Sequence, residues 1–318
     1  MKTLTRAETA AFFRENDRFV IITHRRPDGD TLGSSALLCR GLRQMGKTAH
    51  ILRNPEITPK YASLHEDLTT NEVKIGDVPV SVDVAADNML PASFSGLSIA
   101  LRIDHHGRST SFTDFELVDP KSAACGEIVY DVLMELGVKL DKSMANALYT
   151  AVSTDTGCFR YANTTANTFY VAAKCAEAEA DIFQINQALF ETNTLGRLRL
   201  QGWLVENAIF LQDGDYAICP LPKSVEEELG LTEDDLENIS GFPRTIEGVK
   251  IAATIRQESA DTVKVSVRAV PGYDAAAICA KFGGGGHKGA AGASMKMSMD
   301  QAVQAVKDTI AEIVSVDH

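Results

Sequence analysis

The sequence lacks any long hydrophobic run. No apolar stretch approaches the roughly 18 residues that a helix needs to cross a bilayer. The chain is 45% hydrophobic and 23% charged, as in ordinary globular proteins. Its start, MKTLTRAETAAFFREN, is too polar for a secretory signal. We therefore predict a cytoplasmic protein that makes no contact with a membrane.

Paired cysteines are also absent. The six cysteines are scattered and none belongs to a C-x-x-C pair, which argues against a zinc knuckle or a thioredoxin-like dithiol. Positive charge is scarce as well, because 31 Lys and Arg face 43 Asp and Glu, for a net charge of −12. Proteins that coat long nucleic acids neutralise many phosphates with a broad basic face. Any nucleic-acid partner is therefore expected to be short.

The chain does contain the alternation of strands and helices that is typical of α/β proteins. An apolar, β-branched run at 18–23 is followed by a polar turn, a helical pattern from Thr31 to Met45 and a strand-like run at 49–53. Further apolar runs occupy 78–85, 97–106 and 144–157. This order favours a mainly parallel sheet flanked by helices.

A chain of 318 residues is longer than a single hydrophobic core usually supports. The alternation of strand-like and helical segments also changes near residue 190. We predict an α/β domain over 1–190, a connecting helix or linker over 191–212 and a smaller α+β domain over 213–318. The active-site cleft is expected between the two domains.

Acidic and histidine residues end several of the apolar runs of the first domain. In open α/β sheets the carboxyl ends of the strands form the ligand crevice, so side chains at several such ends meet in space. The residues form four groups along the chain: His24 with Asp28 and Asp30, the isolated Asp83, Asp104 with His105 and His106, and Asp155. Carboxylate oxygens and imidazole nitrogens together suit hard divalent cations.

Each group also has an ordinary structural interpretation. Asp-Gly-Asp is common in turns, and Asp30 could cap the helix that begins at Thr31. Asp83 could be a strand-end side chain in solvent, and the other two groups could be caps or polar groups at the rim of the sheet. Four coincidences at what we take to be four strand ends favour the metal interpretation.

These four groups resemble the successive motifs of the DHH phosphoesterase superfamily, which is named after its Asp-His-His. Near the C-terminus, Gly283-Gly284-Gly285-Gly286-His287 with Ala290-Ala291-Gly292 resembles the signature of the accompanying DHHA1 domain. The size and two-domain layout are most similar to the subfamily of oligoribonucleases (nanoRNases) and 3'-phosphoadenosine-5'-phosphate (pAp) phosphatases.

The resemblance implies roles for these residues. His24 and Asp28 would bind one metal ion, Asp30, His105 and Asp155 a second, and Asp83 would bridge both. Asp104 would orient its neighbouring histidine, and His106 would act on the substrate as a catalytic residue. The ions would be two divalent cations, with Mn²⁺ favoured and Co²⁺ or Mg²⁺ as substitutes.

The resemblance also assigns substrate binding to the second domain. The residues concerned are Arg268, Gly284, Gly285, Gly286 and His287. Bare backbone amides of the glycine loop could bind an anion, and the small residues after Lys288 are interpreted as the start of a helix whose N-terminus favours phosphate. Ala269 stands where relatives commonly have Ser. Two interpretations of Arg108 stay open: a contact with the substrate, or a side chain in solvent.

The expected function is two-metal hydrolysis of phosphodiester or phosphomonoester bonds in short oligoribonucleotides, with pAp as a further substrate. Substrates would be short single-stranded RNA or DNA, or small nucleotides. The alternatives are a linear or cyclic dinucleotide phosphodiesterase and a non-catalytic nucleotide-binding regulator. A homodimer is compatible with the resemblance.

Overall fold

The computed structural model describes residues 2–107, 110 and 112–316, so Arg108 lies outside the described residues. The chain divides into two compact units, Met1–Thr192 and Asn193–His318. Each unit has a hydrophobic core of its own.

The first unit is built on a parallel sheet. Its strands are β1 Lys2–Thr3, β2 Phe19–Ile22, β3 Ala49–Leu52, β4 Thr69–Thr70, β5 Val78–Val82, β6 Ile99–Asp104 and β7 Thr113–Val118, in the order β1-β7-β6-β5-β2-β3-β4. All its strand pairs are parallel. All four residues of β2 are buried, as expected for a central strand covered on both faces. The predicted parallel sheet is confirmed.

The helices of the first unit pack on this sheet and on one another. They are α1 Arg6–Glu15, α2 Gly29–Gln44, α3 Cys125–Glu135, α4 Lys142–Asp155, α5 Ala166–Glu177 and α6 Ile182–Asn186. Helix α2 begins two residues earlier than the sequence predicted, because Asp28 and not Asp30 caps it by accepting hydrogen bonds from the amides of Asp30 and Thr31.

Close packing of α2 on α4 brings two parts of the candidate site together. A Cβ added at Gly33 would lie 2.4 Å from the carbonyl oxygen of Ala147, and one at Gly29 would lie 2.4 Å from the side chain of Thr154. Only glycine permits this approach. The N-terminus of α2 therefore meets the C-terminus of α4.

Asp155 corrects the prediction of four strand ends. It is the last residue of helix α4, and the run at 144–157 contains no strand. The other three groups do follow strands, namely β2, β5 and β6, which are neighbours in the sheet. The metal motifs thus come from three strand ends and one helix end.

The second unit has a mixed sheet. Its strands are β8 Ile209–Leu211, β9 Tyr216–Leu221, β10 Ile251–Ser259, β11 Thr262–Ala269, β12 Gly285–His287 and β13 Ala290–Met295, in the order β12-β13-β11-β10-β9-β8. Its helices are α7 Leu195–Glu206, α8 Lys223–Glu228, α9 Glu233–Leu236, α10 Ala275–Ala280 and α11 Met299–Val316. Only β9 and β10 pair in parallel; the other described pairs are antiparallel.

One interpretation of this second unit is wrong. The small residues after Lys288 form strand β13, not a helix, so they offer no helix N-terminus to an anion. Helix α7, in the segment predicted as a connector, belongs to the second compact unit.

Among the described residues, no helix combines the length and the apolar character needed to span a membrane.

Candidate metal centre

His24, Asp28 and Asp83 form the first group of candidate ligands. Nε2 of His24 lies 3.6 Å from Oδ1 of Asp28 and 3.6 Å from Oδ2 of Asp83. His24 follows β2, Asp28 caps α2 and Asp83 follows β5. Their ligand atoms all lie within 4.8 Å of one another.

Asp30, His105 and Asp155 form the second group. Nε2 of His105 lies 3.8 Å from Oδ2 of Asp30 and 3.8 Å from Oδ2 of Asp155. Asp30 is 1% exposed, whereas the side chain of Asp155 is 30% exposed. This group therefore reaches from the interior to the surface.

Asp83 lies between the two groups. Its Oδ2 faces His24, while its Oδ1 lies 3.5 Å from Nε2 of His105 and 3.6 Å from Nδ1 of His106. The residue is 2% exposed and has a φ of 59°, a left-handed conformation that few residues other than glycine adopt. Strained backbone of this kind persists where the surroundings fix it, commonly at functional sites.

The spacing of these atoms fits ligands around metal ions better than it fits hydrogen bonds. Hydrogen bonds from nitrogen to oxygen are about 2.7–3.2 Å long, and the contacts above are all longer. Two ligands each about 2.1 Å from an ion stand about 3.0–3.6 Å apart. The contacts of His24 and Asp83 fall in this range, and the 3.8 Å contacts of His105 with Asp30 and Asp155 lie slightly beyond it. Oδ1 of Asp83 is buried and accepts no hydrogen bond from the described residues. A buried carboxylate oxygen needs a partner, and a cation supplies one.

The imidazoles have their second nitrogens occupied in the manner of metal ligands. Nδ1 of His24 lies 2.8 Å from the carbonyl oxygen of Arg25, and Nδ1 of His105 lies 3.2 Å from that of Ser122. A carbonyl oxygen only accepts, so Nδ1 carries the proton in both rings. In the neutral rings, the lone pair of Nε2 then points at the carboxylates.

Without a cation, burial and mutual repulsion shift the pKa values of the ionisable groups in the centre. Burial and the carboxylate of Asp83 raise the pKa of Asp30 well above its usual range. Burial also raises the pKa of Asp155, to about 7, with Asp83 and Asp28 adding to the rise and His105 opposing it. Burial opposes charge on His105, but Asp83, Asp30 and Asp155 outweigh it and raise its pKa to about 11. Divalent cations would replace these protons.

Asp104 and His106 form a separate pair beside the centre. Nδ1 of His106 donates to Oδ1 of Asp104 at 2.7 Å, and the same oxygen accepts from the amides of His105 and His106. Asp104 is completely buried, while the side chain of His106 is 31% exposed. The carboxylate fixes the ring through Nδ1, and Nε2 of His106 has no hydrogen-bond partner among the described residues.

Two supporting contacts were not predicted from the sequence. Helix α3 has no capping side chain of its own, and Asp30 caps it by accepting from the amides of Cys125 and Gly126 at 2.6 and 3.0 Å. Nδ2 of Asn163 donates to Oδ2 of Asp155 at 3.3 Å. The absence of a capping residue before Cys125 was the only sequence signal for the first contact.

In the second unit, Arg268 and His287 lie in one row across the sheet. Both are in register with Ala290, Arg268 from β11 and His287 from β12. Residues in register share a face of the sheet, so a cationic and an imidazole side chain flank one small residue. In the neighbouring row of that face, Gly285 and Ser266 flank Gly292.

Packing explains two of the glycines of the loop. A Cβ at Gly284 would lie 2.2 Å from the carbonyl oxygen of Gly292, and one at Gly286 would lie 2.6 Å from that of Ala290. Gly285 borders open space. Ala269 is buried on the face opposite Arg268, so a hydroxyl there would not lie beside Arg268.

Comparison with known proteins agrees with these motifs. The sequence profile described as DHH family, N-terminal domain, matches residues 18–152, and the DHHA1 domain profile matches residues 215–315. A Thermus thermophilus protein named bifunctional oligoribonuclease and PAP phosphatase NrnA is 33% identical over 296 residues, covering 92% of this chain and 89% of that protein. The Bacillus subtilis protein of the same name is 27% identical over 298 residues, covering 92% and 93%.

Among solved structures, an exopolyphosphatase-related protein from Bacteroides fragilis matches with a TM-score of 0.86. It is 23% identical, and the match covers 98% of this chain and 97% of that one, which shows a common fold. The resemblance predicted from the motifs is confirmed by the two profiles and the Thermus relative. The chain therefore belongs to the DHH family of phosphoesterases, and its second unit contains a DHHA1 domain.

Proposed function

We propose that the protein hydrolyses phosphodiester and phosphomonoester bonds in short oligoribonucleotides and in pAp. The observation that carries the proposal is the position of Asp83, whose two carboxylate oxygens lie 3.6 Å from Nε2 of His24 in one ligand group and 3.5 Å from Nε2 of His105 in the other. Four carboxylates offset the four positive charges of two divalent cations, and the two imidazoles add ligands without charge, so the loaded centre tolerates an anionic substrate. The names of the Thermus and Bacillus relatives supply the substrate class.

We assign one ion to His24 and Asp28 and the other to Asp30, His105 and Asp155, with Asp83 between them. The carboxylate-rich ligand set contains no thiolate and favours Mn²⁺, with Co²⁺ or Mg²⁺ as substitutes. Two such ions, when bound, activate water and stabilise charge on the phosphoryl oxygens. No protein side chain is needed as a nucleophile.

His106 is assigned the contact with the substrate phosphate. Its ring is fixed through Nδ1 by Asp104, which leaves Nε2 to donate to a phosphoryl or leaving-group oxygen. The buried carboxylate of Asp104 raises the pKa of His106 in spite of the opposing effect of burial. A protonated ring is a donor at both nitrogens.

Substrate binding in the second unit is assigned to the row of Arg268 and His287, with Gly284, Gly285 and Gly286 beside it. The amide of Gly284 is not a donor to the substrate, because it donates to the carbonyl oxygen of Cys279 at 2.9 Å. Arg268 supplies a fork of donors that matches a phosphate. The side chains between and beside the two residues are small.

Arg268→Ala is expected to raise KM for a short oligoribonucleotide about 10–100-fold, because a hydrogen-bonded charge contributes about 1.5–3 kcal/mol. Cleavage of bis(p-nitrophenyl) phosphate, which has no second phosphate to bind, should change little. Steady-state kinetics on both substrates measures the difference. Lys264→Ala, on the same strand and face, controls for lost positive charge. Equal losses on both substrates would contradict a binding role.

Substrate length tests the proposed function directly. With a net charge of −12, the protein has more acidic than basic groups to meet a long strand of phosphates, so affinity should saturate after a few nucleotides. We expect strands of roughly two to five nucleotides to be hydrolysed at least about tenfold faster than strands of about twenty, with mononucleotides released one at a time. The measurement is kcat/KM on single-stranded RNAs of increasing length at fixed salt, with pAp assayed in parallel. A rate that rises with length, or internal cuts in long strands, would argue for a different nuclease class.

A further inference from the structure

Arg102 is an arginine buried in the central sheet beside the metal centre. It belongs to β6, two residues before Asp104, and is 1% exposed. Burial of an unpaired guanidinium is strongly unfavourable, and even a paired one gives little net stability. The contacts of Arg102 therefore call for a role besides folding.

The guanidinium first forms an ion pair within the sheet. Its Nη2 donates to Oε2 of Glu116 at 2.6 Å, across the parallel pair of β6 and β7 in which the two residues are in register. Glu116 is itself 9% exposed. This contact balances the charge of the arginine.

The same side chain also joins two segments that carry the motifs. Its Nη1 donates to the carbonyl oxygen of Ala85 at 3.0 Å and to that of Thr110 at 3.3 Å. Ala85 lies two residues after Asp83, and Thr110 lies four residues after His106. The amide of Thr110 donates to Ala85 as well, at 3.0 Å. Arg102 thus reinforces a backbone link between the Asp83 segment and the Asp-His-His segment.

Arg102 also faces the carboxylate that fixes His106. Its Nη1 lies 3.8 Å from Oδ2 of Asp104, close enough for charge attraction but too far for a hydrogen bond. Oδ2 of Asp104 is buried and accepts no hydrogen bond from the described residues. The guanidinium therefore supplies the positive charge that this oxygen faces, while Oδ1 holds His106.

We propose that Arg102 is a positioning residue of the active site, which holds the Asp104–His106 pair and the Asp83 segment in register with each other. The proposal rests on the proposed function of His106 and the metal centre. The pair with Glu116 balances the charge of Arg102, whereas its bonds to Ala85 and Thr110 and its approach to Asp104 connect it to the two motif segments.

Arg102→Met removes the charge and the donors at similar side-chain length. We expect kcat on a diribonucleotide and on bis(p-nitrophenyl) phosphate to fall about 10–100-fold, as for other residues that orient metal ligands, with KM changed less than about threefold. The unfolding midpoint should also fall, because Glu116 is left buried without its partner.

The double variant Arg102→Met/Glu116→Met separates positioning from folding. Replacing both partners of a buried ion pair with apolar side chains commonly restores stability. We expect the double variant to regain its unfolding midpoint while kcat stays at the level of Arg102→Met. Recovery of kcat together with stability would overturn the proposal. If the single variant does not fold, the kcat of the double variant alone tests the role of Arg102.

Arg256 offers a matched control in the other unit. Arg256 lies on strand β10 and forms a bidentate ion pair with Glu226 of helix α8, with N–O distances of 2.6 and 3.0 Å. Arg256→Met should lower the unfolding midpoint and leave kcat within about threefold of the wild type. A loss of kcat as large as that of Arg102→Met would overturn the specific role of Arg102.

A readout independent of activity uses the metal-free protein. The Nδ1–H proton of His106, bonded to Asp104, should give a downfield NMR signal in the wild type that is lost or shifted upfield in the double variant. An unchanged signal would overturn the proposal even if the wild type hydrolysed neither substrate. Absence of hydrolysis by the wild type would instead contradict the proposed function.

Discussion

Asp83→Asn is expected to lower kcat about 1,000-fold, equivalent to about 4 kcal/mol of transition-state stabilisation. An amide cannot serve as a charged ligand on both sides, so the proposed centre loses the carboxylate that lies between its two ligand groups. The protein should stay folded, because asparagine tolerates the left-handed conformation that Asp83 adopts at φ 59°. Turnover of a short oligoribonucleotide at saturating Mn²⁺, with circular dichroism as the check on folding, measures both effects.

Asp87→Asn is the matched control for this variant. Asp87 lies four residues further on, is exposed, and belongs to none of the ligand groups. Its amide should retain near wild-type turnover, which separates loss of a ligand from loss of one negative charge. If Asp83→Asn kept more than about a tenth of the turnover, the lost transition-state stabilisation would be less than about 1.4 kcal/mol. The assignment of Asp83 as a ligand of both ions would then be wrong.

Much of the candidate metal centre could be predicted because parallel strands bring their carboxyl ends together. The buried runs that become β2, β5 and β6 are short, apolar and rich in β-branched residues, and parallel strands bring their carboxyl ends to one edge. His24, Asp83 and Asp104 follow or end those runs. Their meeting in space follows from the topology.

Asp155 shows where this reasoning stops. The run at 144–157 is apolar enough for a buried strand, yet it continues a helix that Asp141 caps by accepting from the amide of Met144. Periodicity alone does not separate buried helices from buried strands. The residue still reaches the centre, because Gly29 and Gly33 let α2 and α4 pack closely, a pairwise fit that neither helix reveals alone.

Long-range polar contacts were beyond sequence reasoning for a similar reason. Asp30 caps α3 across 95 residues of chain, and Arg102 bonds carbonyl oxygens that no pattern marks. An arginine inside the strand-like run LSIALRIDHH was the one visible signal, since a charged side chain there must find partners. In the second unit, glycine suggested a loop for anions, whereas close packing on β13 accounts for Gly284 and Gly286.

Asp155→Asn is expected to change stability in opposite directions with and without metal. In the metal-free protein, burial and neighbouring carboxylates raise the pKa of Asp155 to about 7, against about 3.9 when unfolded. Between these values the folded state binds more protons, so wild-type stability falls as pH rises from about 4 to about 7. Asparagine carries no charge, so the metal-free variant should exceed the wild type by about 1–3 kcal/mol at pH about 8 and lose that advantage near pH 4.

Mn²⁺ should reverse the order. A ligand that binds only the folded state at about 100 times its dissociation constant stabilises it by about 2.7 kcal/mol, and the amide of the variant binds the ion more weakly than the carboxylate does. Unfolding midpoints in chelator and in excess Mn²⁺, across the same pH range, measure both effects, with the exposed Asp114→Asn as control. A variant less stable than the wild type in chelator at pH about 8 would show that the carboxylates do not repel one another in the metal-free protein. Equal stabilisation of the wild type and the variant by Mn²⁺ would show that Asp155 is not a metal ligand.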